Sequence, residues 1–140
     1  VVDIDITYEG DLHCVAEHRP SHTRLATDAP VDNLGRGESF SPTDLLATAL
    51  GTCVATTMGI LAKRQGYALG DFKVHVRKIM TTTPPRRVAK LETELRIGPG
   101  TANSLSPEAR AELEHIAHNC PVRLSLLDAI EVPISFDWQA

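Results

Sequence analysis

The sequence has no basic stripe. Its 14 lysines and arginines face 18 aspartates and glutamates, giving a formal charge of −4 and a pI near 5.8. Without clustered cations to neutralise phosphates, nucleic acid is excluded as the main partner. Paired cysteines are also missing: there are three, an odd number without regular spacing. That excludes a secreted disulfide framework and points to thiols in a reducing compartment, so a cytoplasmic location is expected. No N-terminal stretch combines a charged start, an apolar run and a cleavage site, so no signal peptide is expected. CxxC and HExxH are absent. His115 and His118 lie three apart with Cys120 close behind, and His18 and His22 flank a proline. That spacing is a weak ligand pattern, and neither a metal nor a cofactor is expected. Gly35-Arg36-Gly37 lacks the GK[ST] ending of a phosphate cradle, and there is no G-x-S-x-G nucleophile elbow. With no internal repeat, low-complexity tract or linker, residues 1–140 read as one domain with enough chain for a real core.

What the sequence does have is a long, nearly charge-free helix with a cysteine in its middle. Ser41 can cap it, Pro42 suits its first position, and Asp44 stands where a capping box wants an acceptor. Small and apolar residues continue to Leu61, and Lys63-Arg64-Gln65-Gly66 ends the run with basic residues and glycine. A helix apolar all round is expected to be buried all round. At about 1.5 Å per residue it is roughly 35 Å long, too much for one small domain to cover, so a second chain is expected against it. The apolar length also fits a bilayer span. Thr48, Thr52, Thr56 and Thr57, with Gly51 and Gly59, favour a buried soluble helix instead.

Strands surround this helix. Val2, Ile4 and Ile6 alternate with polar residues, Glu9-Gly10-Asp11 can turn the chain, and Leu12, Cys14 and Ala16 return. A short strand follows around residues 24–27, then a polar loop at 32–39. Beyond the helix, Phe72, Val74 and Val76 alternate, Pro84-Pro85 breaks the run, and residues 88–97 place Leu91, Thr93, Leu95 and Ile97 on one face. Gly98-Pro99-Gly100 is expected to end that hairpin. A second helix starts after Ser106 with Leu113, Ile116 and Ala117 as its stripe, and stops near Asn119 because Pro121 disfavours helix before it. A short third helix from Cys120 through Leu127 and a strand at Val132, Ile134 and Phe136 complete an α+β chain with mostly antiparallel strands.

Each cysteine has a plain reading beside a chemical one. A free cysteine commonly packs as a small hydrophobe, and Cys14, between Leu12 and Ala16, reads as core. Cys53 is either packing or a nucleophile, and burial demands a nearby cation for the second role. Cys120 starts a helix, where exposed amides and the dipole favour thiolate.

The run Ser41-Pro42-Thr43-Asp44-Leu45-Leu46, continuing through Ala49-Leu50-Gly51 to Cys53, and the later Asn119-Cys120-Pro121-Val122, resemble the OsmC/Ohr family of osmotically inducible and organic hydroperoxide resistance proteins. The resemblance spans essentially the whole chain, and Thr27-Asp28-Ala29-Pro30 places it nearer the broader OsmC-like group. It implies an OsmC-like fold, a mostly antiparallel sheet wrapped around a long central helix, in a tightly intertwined homodimer. It also implies a peroxidase acting on organic hydroperoxides or hydrogen peroxide and re-reduced by an external dithiol. Cys53 falls at the attacking position and Cys120 at the resolving one. Where the family carries a glutamate that steadies an arginine over the thiolate, this chain has Thr43, with Asp44 one residue on. The site residues implied are therefore Cys53, Cys120, Asp44 and an arginine, Arg36 first and Arg24 second. The lost glutamate leaves a second reading open, a ligand-binding protein of the same fold in which the cysteines are incidental.

Overall fold

The computed structural model describes residues 1–139. Alternation at the N-terminus yields a meander of β1 (Ile4–Gly10), β2 (His13–His18) and β3 (Thr23–Asp28), paired antiparallel in that order. Gly10 still pairs with His13, so the chain reverses at Asp11-Leu12 rather than at Glu9-Gly10-Asp11. Both residues take positive φ, 51° and 61°, as a two-residue hairpin turn of matching twist requires. Leu12 thus belongs to the turn and not to β2. In register, Ile6, Ala16 and Leu25 share one face, as do Tyr8, Cys14 and Thr27. On that face Ile4, Ile6, Tyr8 and Leu25 are exposed.

The loop from Ala29 to Phe40 folds on itself. A single 3-10 turn at Val31–Asn33 and a left-handed Leu34 bring the Gly35 amide to the Pro30 carbonyl at 2.9 Å. A Cβ on Gly35 would lie 1.6 Å from the Ala29 oxygen, so only glycine fits. These elements form one compact unit, Val1–Leu46, and a second begins at Ala47.

Helix α1 (Pro42–Gln65) opens with the expected capping box. The Ser41 amide donates to Asp44 Oδ2 at 2.9 Å, and the Asp44 amide donates to Ser41 Oγ at 3.1 Å. It ends on Lys63 and Arg64, with Gly66 at φ 71°. Burial is one-sided: Ala47, Leu50, Gly51, Val54, Met58 and Ala62 are covered, whereas Thr48, Thr52, Thr56, Gly59 and Ile60 are exposed. The all-round burial expected from composition is therefore not found: one side of α1 is open.

In the second unit β4 (Phe72–Met80) and β5 (Val88–Ile97) pair antiparallel, and β6 (Ile134–Trp138) joins β5 in parallel. A parallel return needs a long crossover. Here α2 (Pro99–Ser104), α3 (Pro107–His118) and α4 (Pro121–Ser125) supply it. Helix α2 arises because extended Gly98 and Pro99 start a helical turn where the sequence reads only a hairpin end. Among the described residues the strands thus divide into two three-stranded sheets, with three antiparallel pairings and one parallel. The core gathers Leu91, Thr93, Leu95 and Ile97 of β5, Leu113 and Ala117 of α3, and the covered side of α1. α1 meets β4 closely, since a Cβ on Gly51 would sit 2.9 Å from Val76 Cγ2.

Candidate functional site

Two local signals position the thiols. Cys53 lies mid-helix on α1, at the edge between its covered and open sides, and is half-buried. Cys120 is placed by the end of α3 and the start of α4. Asn119 closes α3, its side-chain amide donating to the His115 carbonyl at 2.9 Å, and Pro121 forces Cys120 into extended backbone. The Cys120 sulfur then takes the place a serine holds at most helix starts, accepting the Arg123 amide at 3.4 Å. Cys120 is fully buried.

The fold brings these distant cysteines together, close enough for Cys53 to act on the Cys120 thiol. On its other side Cys53 Sγ lies 3.8 Å from Thr57 Oγ1, one helical turn on. Burial pushes the Cys120 thiol above its ordinary pKa, and its interaction with Cys53 adds to that, while the Arg123 and Val122 amides pull against it. The thiolate preference expected of a helix N-terminus is thus outweighed by desolvation. A buried, protonated Cys120 beside a more accessible Cys53 is an arrangement that can form a disulfide.

The other expected site residues lie in the first unit. Asp44 serves the α1 capping box. Arg36, in the folded loop, lines a cavity of about 360 Å³ with Glu9, Asp11, His13, Asp28 and Glu38. Arg24 is exposed and donates to Glu17 at 3.1 Å. Within the same cavity His13 Nδ1 meets the buried Asp28 Oδ1 at 2.7 Å and Nε2 faces Glu9 at 3.6 Å, so hydrogen bonding to Asp28 raises the imidazole pKa. Cys14 is half-buried rather than in a core, on the face of the first unit's sheet where Ile6 and Tyr8 are exposed. His115 and His118 are exposed, and the His118 ring packs 6.0 Å from Phe136. Thr57 is the residue that sequence reasoning passes over. Its i, i+4 spacing from Cys53 was the available signal.

A model of the family described as OsmC-like protein matches residues 35–135. No curated protein matches the chain. Among solved structures, one from Psychrobacter arcticus 273-4, given the description osmotic stress induced and detoxification response protein, is 35% identical. It aligns at a TM-score of 0.86 over 95% of this chain and 93% of that one. An organic hydroperoxide resistance protein OsmC from Legionella pneumophila is 17% identical, with a TM-score of 0.76 over 98% and 96% of the two chains. An OsmC-like protein of unknown function from Vibrio cholerae is 14% identical, with a TM-score of 0.80 over 97% and 98%. These last two bear on the fold alone.

Proposed function

Because this chain belongs to the OsmC-like protein family, we propose that it is a dithiol peroxidase of the reducing cytoplasm, with Cys53 attacking the hydroperoxide and Cys120 resolving the product. The observation that carries this reading is that two thiols far apart in sequence come close enough for Cys53 to raise the Cys120 pKa, one half-buried and one fully buried. The Cys53 thiolate attacks the terminal oxygen of ROOH and the O–O bond breaks. Sulfur loses two electrons, and the leaving alkoxide takes a proton to become ROH. Cys120 then attacks the Cys53 sulfenic acid, forming a disulfide and releasing water. An external dithiol returns both thiols and leaves as its own disulfide. Arg36 is the cation nominated to support the thiolate, and Asp44 the carboxylate nominated to steady it, both from the family resemblance.

The working unit in this reading is a homodimer. Two open apolar surfaces support it: Ile4, Ile6, Tyr8 and Leu25 on the first sheet, and the side of α1 carrying Ile60. Stopped-flow mixing of reduced protein with an organic hydroperoxide or hydrogen peroxide tests the activity. Rapid loss of peroxide that requires Cys53 is the expected result. The second reading, a ligand-binding protein of the same fold, draws on Thr43 standing in place of the family glutamate. It is preferred if wild type and Cys53→Ser consume peroxide equally slowly.

A further inference from the structure

We propose that Thr57 is a hydrogen-bond donor to the Cys53 sulfur and supports it when it reacts as a thiolate. The inference rests on the reading that Cys53 is the attacking thiol. Thr57 lies one turn beyond Cys53 on α1, half-buried, with its hydroxyl 3.8 Å from Sγ. Threonines inside helices commonly bond back to a carbonyl of the preceding turn. Thr52, on the open side of α1, does this, donating to the Thr48 carbonyl at 2.8 Å. The Thr57 hydroxyl instead meets sulfur.

While Cys53 is a thiol, either group can donate. Once the sulfur is ionised it only accepts, and a hydroxyl rotor can turn its proton toward it. A hydrogen bond to an ionised partner is roughly twice as strong as a neutral one. Partial burial strengthens it further by excluding competing water. Cys120 completes the asymmetry. Its own sulfur is fully buried and desolvated, and Cys53 beside it raises its pKa further, whereas the Thr57 hydroxyl lies against the Cys53 sulfur.

The test uses the full reduced chain and follows iodoacetamide modification of Cys53 by peptide mass at neutral pH, which reads thiolate without any peroxide. Thr57→Val keeps the shape and removes the donor, and it should slow modification about tenfold, the scale of one charged hydrogen bond. Thr57→Ser should keep the rate within about threefold of wild type, because the hydroxyl remains. If the valine variant misfolds by circular dichroism, Thr57→Ala is used and the same slowing is expected. Wild-type rates in the variant lacking the hydroxyl, or equal slowing in the serine variant, would overturn the proposal. Slowed modification together with a wild type that consumes no peroxide would uphold the role of Thr57 while removing the peroxidase reading.

Discussion

Cys120 is fully buried and Cys53 half-buried, an order of exposure that fits the proposal that Cys53 attacks and Cys120 resolves. Cys53→Ser should therefore abolish peroxide consumption, since a hydroxyl forms no sulfenic acid. Cys120→Ser should allow one rapid oxidation and then stall, with Cys53 found by mass spectrometry as sulfenic acid, or as sulfinic acid in excess oxidant. Sustained turnover by Cys120→Ser would remove its resolving role. In the first unit, hydrogen bonding to Asp28 holds the His13 proton to higher pH than usual. The stability from that pair is fully present below the ordinary imidazole value of about 6.5 and is lost as pH rises through the elevated one. NMR titration should place the His13 midpoint above that ordinary value, and a midpoint at or below it contradicts the pairing. The positions of Cys53 and Cys120 on α1 and at the start of α4 were legible because each thiol sits in a distinctive run of residues. The Thr57 contact and the His13–Asp28 pair were not, because which polar side chains meet is decided by helix phase and strand register.

Helix α1 shows how far local rules reach at the scale of the element. Ser41, Pro42, Asp44 and Gly66 mark its ends in the sequence, and the structure places those ends at Pro42 and Gln65. Asp44→Ala should remove half of the capping box at a cost of about 1 kcal/mol in a urea titration. Gly51 marks the opposite limit. Its closeness to Val76 follows from packing that no periodicity displays, so Gly51→Val should overpack the α1–β4 contact and destabilise by roughly 1–3 kcal/mol. An unchanged melting curve would show that the contact yields. Strand β5 was readable to both ends, Val88 and Ile97, because its alternation is regular. Helix α2 and the parallel placement of β6 were not, since strand partners depend on the crossover rather than on the strand's own residues.

At the scale of the molecule, a single chain leaves apolar surface uncovered on both the β1–β2–β3 sheet and α1. A dimer that covers it should bury well beyond the about 1,600 Å² of a standard interface. Analytical ultracentrifugation of dilute protein should show dimers without monomer, and a stable, folded monomer would contradict the shared assembly. The central claim is that Cys53 and Cys120 act as one redox pair. Its most direct test is peptide mass mapping of reduced wild-type protein after one equivalent of an organic hydroperoxide. The account predicts a Cys53–Cys120 disulfide with Cys14 still reduced. A bridge that includes Cys14, or both site thiols still free after the peroxide has been presented, would contradict it.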